Sequence, residues 1–469
     1  MKQYFIPIVL IYLLVLGGCE KYLDVKVTNG QVFITTANDC QLILDNYSVM
    51  NTGYPNDGQA SSGDSFLNEV SYLDQSVTAE DRAIYMWNSN ALRVSSSPQW
   101  RNSYFIIYNA NLVLETLDKI KGDGTPQTTI DNLRGSALFF RSYCLWQIAQ
   151  HYAPAYDAAN AGQLPGIPIR LTSDINEVSS RGTVQQTYDR ITSDLEEAGR
   201  LMATTSSVSS RPNKVAAYAM LARVYLSMSD YGRAQTNANL ALQLKSTLID
   251  YNSTEVNKSL SSNTPFVRFN PEVIFQSLMV STLLTNPGSE STSFARIDPS
   301  LEASFNDPND LRRTVFMKQN KTNNVFDGTY RFTGNYEAST SNLFNGLAVD
   351  ELYLIRAECY ARSGDVTGAM TDLNNLLRKR WVSGTYVDMT AGNANDALVK
   401  ILTERRKELM MRGQRWTDLR RLNKESRFAV TLNRTVQGTT YTLPPNDLRY
   451  TLLIPNEVIL NSSLTQNVR

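Results

Sequence analysis

Two short stretches of this sequence set flat aromatic rings among amide, carboxylate and guanidinium groups. DRAIYMWNSN brings Arg82, Tyr85, Trp87 and Asn88 into one segment, and GTYRFTGNYE brings Tyr330, Arg331, Asn335 and Tyr336 into another. TGYPNDG adds Tyr54 and Asp57, and SGDSF adds Asp64. The chemistry such sets suit is the grip on a sugar ring. A sugar presents C–H faces ringed by hydroxyls; an exposed Trp or Tyr covers the face while neighbouring polar side chains bond the rim. The competing reading of every ring is packing within a long loop. Trp100 opens an amphipathic pattern and is expected to pack.

Other chemistries find little support. The chain has one histidine, His151, at the end of an apolar helical run, LWQIAQHYAPAY, where a hydrogen-bonded structural role is expected. A single histidine leaves no His-based metal site and no Ser-His or Cys-His nucleophile. No phosphate-binding glycine loop and no Cys-x-x-Cys pair is present. Distant Asp and Glu residues can still meet in a fold, but nothing in the sequence selects a pair, and no cofactor, metal or catalytic residue is singled out. Lys plus Arg and Asp plus Glu are each 45, so the net charge is zero, unlike the basic surface that nucleic acid requires. The most basic run, ERRKELMMRGQRWTDLRRL, intersperses Glu404, Glu408 and Asp418 among its cations. Ion pairs within and between helices are the expectation there, with Trp416 packed.

The N-terminus carries a different signal. Lys2 precedes an apolar run from Phe5 to Leu16, then Gly17, Gly18 and Cys19. About a dozen apolar residues suit a cleaved secretory signal better than a spanning helix, which needs roughly 20. Leu16-Gly17-Gly18-Cys19 resembles a bacterial lipobox, in which the cysteine sulfur carries the lipid and becomes the new N-terminus. Residues 1–18 are thus read as a removed signal, Cys19 as the lipidated tether to a membrane, and 19–38 as its linker. Of the other cysteines, Cys144 and Cys359 lie in helical patterns and are expected to be small core residues.

The elements that must position these residues are mostly helical. Apolar residues recur at three- and four-residue steps in QWRNSYFIIYNANLVLETLDKI, IDNLRGSALFFRSYCLWQIAQHY and TVQQTYDRITSDLEEAGRLM. YAMLARVYLSMSDYGRAQTNA aligns without a gap on YLIRAECYARSGDVTGAMTDL, 135 residues on. Ala222 matches Ala357, Tyr225 matches Tyr360, Asp230 matches Asp365 and Ala234 matches Ala369. Small residues let paired helices approach, and each Asp caps the second helix. This is the helix-turn-helix logic of a tetratricopeptide repeat. The expected fold is mostly α, a tetratricopeptide-repeat-like scaffold with loop-rich insertions and a few short β-hairpins. One domain spans 39–469, with helical-repeat parts at about 98–245 and 346–423. Loop-rich, ligand-binding parts fall at about 51–97 and 246–345. A hairpin is expected in VFMKQNKTNNVFDGTYRF, with Asp327-Gly328 as its turn.

Nearly the whole chain after Cys19 resembles the SusD/RagB surface lipoproteins of Gram-negative nutrient uptake. Gly135, Ala137, Arg141, Trp146 and Tyr152 fit the family's long helix, with Ser142 and Ala153 as departures. Gly166-Ile167-Pro168-Ile169 fits its link, and Thr183, Tyr188, Ile191, Asp194, Leu195 and Ala198 fit the next helix. Arg211, Lys214, Ala222, Arg223 and Tyr225 continue the match. So do Glu404, Arg405, Glu408, Gly413, Arg415, Trp416 and Asp418, with Arg412 replacing the usual glutamate. Pro455, Glu457, Asn461 and Gln466 fit the closing segment, without its usual Pro-Gly-Tyr ending. The resemblance implies a non-enzymatic protein, lipid-anchored at the outer membrane and facing the exterior. It implies capture of an oligosaccharide and delivery to a SusC-like TonB-dependent transporter as partner. Uptake of peptides, or a purely scaffolding role, are the alternatives. The family motifs do not transfer ligand residues, so Tyr54, Asp64, Arg82, Tyr85, Trp87, Asn88, Tyr330, Asn335 and Tyr336 rest on loop chemistry alone.

Overall fold

The computed structural model describes residues 34–94, 97–259 and 261–469. Residues 36–469 form one compact unit. The expected lipidation site, Cys19, lies outside the described residues.

The frame is a run of antiparallel helices: α1 (Pro98–Lys119), α2 (Gln127–Tyr152), α3 (Val184–Leu201), α4 (Lys214–Ser227) and α5 (Tyr231–Leu244). After a long insertion come α6 (Val349–Ser363), α7 (Val366–Leu377), α8 (Ala394–Glu408) and α9 (Gln414–Leu422). From α1 to α7 each helix packs on the one before, and α8 also packs on α6, so α5 meets α6 across the insertion. Helix starts follow their capping chemistry. Thr183 and Gln186 form a reciprocal capping box at α3, and Asp230 and Asp365 accept from the third residue of α5 and α7. Ala222, Ala357, Ala234 and Ala369 are fully buried, as close helix approach within each repeat requires.

The insertions are less loop-like than their composition suggests. Between residues 51 and 97 lie short helices at Asp57–Ser61, Glu69–Leu73 and Ala79–Tyr85, around a core that includes Leu67, Tyr72, Ile84 and Tyr85. The segment between α5 and α6 has its own core, with Tyr251, Phe266, Phe316, Phe332, Tyr336 and Phe344. A four-stranded antiparallel sheet runs beside it. Its order is β1 (Ser65–Phe66), β2 (Arg296–Ile297), β4 (Val325–Phe332), β3 (Met317–Thr322). The expected hairpin is β3–β4, but its turn is Asn323-Asn324, both left-handed at φ 51° and 65°. Asp327-Gly328 instead sits at an irregularity in β4, where Gly328 supplies a left-handed residue at φ 84°. Asp-Gly marks positive φ, and a bulge uses that as readily as a turn does.

Much of the basic run near the C-terminus pairs with acids inside the run and elsewhere in the fold, and the acids of the run also hold arginines from other elements. Arg312, fully buried, pairs with Asp310 at 2.7 Å and Glu408 at 3.1 Å; Arg380 pairs with Glu408 at 2.7 Å and Glu272 at 2.6 Å. Arg405 pairs with Asp418, Arg421 with Glu358, and the unusual Arg412 with Asp350. Trp416 is 1% exposed and packs so tightly on the Asp57–Ser61 helix that a Cβ on Gly58 would come within 2.8 Å of it. His151 is structural: burial holds its pKa down at about 4, and Nδ1 faces the Gln147 carbonyl at 2.7 Å. Cys144 and Cys359 are buried free thiols.

Candidate ligand-binding cleft

The β3–β4 ribbon borders a cleft of about 350 Å³ whose walls include Tyr330, Gln319, Lys318, Arg331, Arg313 and Glu290. The Tyr330 ring is half-buried. It is flanked by Phe326, 40% exposed, at 5.4 Å between ring centres, and by the Arg313 guanidinium at 5.5 Å. An aromatic edge therefore stands beside amide and cationic donors at an opening to solvent, the equipment that holds a polyhydroxylated ring.

The sheet register explains the charge at this cleft. Arg331 of β4 lies directly opposite Lys318 of β3 on one side and Arg296 of β2 on the other. Directly opposed residues of an antiparallel pair project to the same face, so three cations form one row. Lys318 and Arg331 are 4% and 3% exposed. Lys318 Nζ donates to the Thr314 carbonyl at 2.8 Å, and Arg331 donates to Asn263 Oδ1 and the Gln319 carbonyl. Among the described residues neither has a carboxylate within 4 Å. Burial draws the basicity of both down, and for Lys318 the facing Arg331 adds to the effect.

A second cleft, about 310 Å³, runs along α1 past Tyr104, Tyr108 and Arg170, with Trp100 at its base. Tyr104 and Arg170 there are already engaged. The Tyr104 hydroxyl donates to the Pro168 carbonyl at 2.9 Å, and Arg170 is tied to Ser179 Oγ at 2.8 Å and to backbone carbonyls. Trp100 packs as expected, with ring centres 4.8 Å from Tyr104 and 5.1 Å from Tyr152. The Tyr330 cleft keeps the freer donors.

Of the nine ligand residues expected from sequence, the structure brings only Tyr330 to this cleft. Trp87, the leading expectation, is 3% exposed; its Nε1 donates to the Ser61 carbonyl at 3.1 Å, and Arg434 covers its ring at 4.5 Å. Tyr85 is 2% exposed, with its hydroxyl accepting from Leu67 N and Arg434 over its ring at 3.8 Å. Tyr54 is buried against Tyr143, and Tyr336 is buried with its hydroxyl donating to Glu272. Asp64 is buried, and burial raises its pKa against the pull of Arg406 and Arg415. Asn335 ties down its own loop, donating to Ser339 and Asn342 carbonyls. Half-buried Arg82 donates to the Tyr72 and Asp74 carbonyls, and Asn88 is half-buried, its carbonyl accepting from Arg469. The expectation of an exposed aromatic platform at 82–88 is thus corrected: these rings close the insertion's own core. The cleft residues missed from sequence are Lys318, Gln319 and Arg313. Strand alternation counted from the apolar Met317 would turn Lys318 outward, whereas both are buried in the structure, so the sequence held no signal for it.

The chain is similar to known proteins over most of its length. A family profile described as starch-binding and associating with the outer membrane matches residues 21–226, and the SusD family profile matches 349–467. A SusD-like protein P2 of Formosa agariphila is 24% identical over 422 residues, covering 78% of this chain and 79% of its own. A SusD superfamily protein of Bacteroides thetaiotaomicron superposes with a TM-score of 0.74 at 21% identity, covering 92% of this chain and 100% of that one. A SusD-like carbohydrate binding protein of Bacteroides vulgatus gives 0.67 at 18% identity, covering 92% and 97%.

Proposed function

Because the chain belongs to the SusD/RagB family, we propose that it is a non-enzymatic binding protein of the outer membrane that captures oligosaccharide in the Tyr330 cleft. One observation carries the assignment of the site: Tyr330 is the one sequence-selected ring that borders a solvent-open cleft with spare donors beside it. The matched profile's description as starch-binding and outer-membrane-associated supports the ligand class and the location. Among the described residues no helix is long and apolar enough to cross a membrane; attachment through lipid on Cys19 rests on the lipobox-like Leu16-Gly17-Gly18-Cys19. In this reading the protein faces the cell exterior and delivers its ligand to a SusC-like TonB-dependent transporter, the partner the family likeness implies.

The test is retardation of the protein in gels containing a panel of polysaccharides, with Tyr330→Ala and Trp87→Ala beside it. Retardation by one polymer, lost in Tyr330→Ala, is the expected result. Trp87→Ala retarded like wild type at temperatures where it stays folded supports the placement of Trp87 in the core. Absence of retardation by every polymer defeats the capture reading and turns attention to peptides or to a scaffolding role, which a pull-down of the transporter separates.

A further inference from the structure

The row Arg296, Arg331, Lys318 is costly as it stands. Like charges directly opposite across a sheet repel, and buried cations without carboxylates carry an uncompensated loss of hydration. The nearby acids do not cancel them. Asp327 reaches Arg296 only at 3.9 Å, and its Oδ1 already accepts from the Thr329 amide and hydroxyl. Glu290 pairs with Lys321 at 3.0 Å, and Arg313 is paired with Glu302. Arg296 Nε, buried, has no hydrogen-bond partner among the described residues. Lys318 uses one of its three donors, and it borders the cleft rather than a closed core.

Other buried arginines of the molecule solve the same problem from within. Arg420 also lacks a carboxylate, but it donates to the carbonyls of Ala149, Gln150 and Ala153 at the C-terminal end of α2, where the helix dipole is negative. Arg434 lies alone between two rings and two carbonyls. In the sheet row Lys318 reaches one carbonyl in the last turn of the short Leu311–Phe316 helix, but Arg296 and Arg331 face each other without isolation, and Lys318 and Arg331 line the opening.

We propose that the sugar taken by this cleft is acidic: an oligosaccharide carrying carboxylate or sulfate groups, whose anion sits against Lys318 and Arg331 while Tyr330 covers the ring. The inference rests on the capture reading above and narrows it. Carboxylate and sulfate share the needed chemistry, planar or pyramidal oxygens accepting from an ammonium and a guanidinium fork. The lowered basicity of both cations fits a site that is short of negative charge until ligand arrives.

The experiment measures binding of the protein to two matched pairs of immobilised polymers: polygalacturonate against its methyl ester, and dextran sulfate against dextran. Wild type, Lys318→Gln and Tyr330→Ala are compared at low and raised NaCl. The expected result is retention by one charged polymer over its neutral twin, weakened about tenfold in Lys318→Gln, as loss of one charge-assisted bond implies. Tyr330→Ala should weaken it as well, and salt should reduce it; which pair responds tells carboxylate from sulfate. Equal retention by a charged polymer and its neutral twin, lost in Tyr330→Ala but not in Lys318→Gln, overturns the acidic ligand and leaves capture standing. Retention of charged polymers that neither variant alters overturns it too, as attraction to general surface charge. Retention by none of the polymers defeats capture itself, and the inference falls with it. Lys318→Gln relieves repulsion and should melt at or above the wild-type temperature; Arg331→Lys, which keeps charge but removes the fork, gives a second reading of the same contact.

Discussion

Two regions of this molecule bury cations, and they do so on opposite terms. Around α8, Arg312 of the insertion and Arg380 beyond α7 share Glu408 and hold Asp310, Glu404 and Glu272 besides, so that buried positive charge is met by buried negative charge. On the β2–β4–β3 sheet, Arg296, Arg331 and Lys318 face one another, held by neutral acceptors, with no carboxylate closer than 3.9 Å among the described residues. The first arrangement specifies how helices, insertion and C-terminal segment join. The second has no such use for the fold, and its uncompensated charge borders a cleft. Balanced charge marks a joint, and unbalanced charge marks a place prepared for something else.

The comparison breaks most easily at the balanced end. Glu408→Ala strips one carboxylate from both Arg312 and Arg380 and should cost about 3–5 kcal/mol, read from denaturant unfolding. A loss under 1 kcal/mol would mean the cluster is not a joint. The buried neutral base offers a second test. His151 has a folded pKa of about 4 against 6.5 for the free side chain, lowered by burial. The unfolded chain therefore takes up a proton below pH 6.5 that the folded protein refuses until about pH 4. Stability from this group is complete above pH 6.5 and falls as pH drops to 4, by about 3 kcal/mol in total. Melting curves of wild type and His151→Gln should converge or cross over that interval; parallel curves would contradict the burial. At the repeat, Asp365→Ala removes a cap accepted from Gly368 N and should cost about 1 kcal/mol, measured by urea unfolding. Smallest, and opposite in sign, Lys318→Gln should stabilise the unliganded protein by about 0.5 kcal/mol, because one opposed like-charge pair disappears. A destabilised Lys318→Gln would place that lysine on the side of the joint.

Much of the helical frame could be read in the sequence, because its signals are local. The 3.6-residue periodicity, the Asp caps and the gapless match of Ala222 and Ala357 each report a contact a few residues away. The ion pairing of the basic run was also legible, since Glu404, Glu408 and Asp418 stand among its cations. The site was not legible in the same way. Trp87 and Tyr330 look alike in sequence, each an aromatic in a polar stretch. What separates them is a contact far along the chain: Arg434 closes over Trp87 at 4.5 Å in a buried setting, while Arg313 stands over Tyr330 at 5.5 Å and leaves that ring half-buried. The cation row was invisible for the same reason, since Arg296, Lys318 and Arg331 become neighbours only through strand register.

Within the insertion between α5 and α6, Val273–Phe275 pairs with Leu347–Ala348 just before α6 and clips the segment between them. Everything between is a loop already closed, and the closure entropy of a flexible loop grows only as the logarithm of its length. Doubling the enclosed segment would cost the frame about 0.6 kcal/mol. The clip thus lets an exposed turn of the enclosed segment, such as Asn323-Asn324, lengthen or shorten at little cost to the frame, while Arg312 and its acids on α8 hold the rest of the insertion in place.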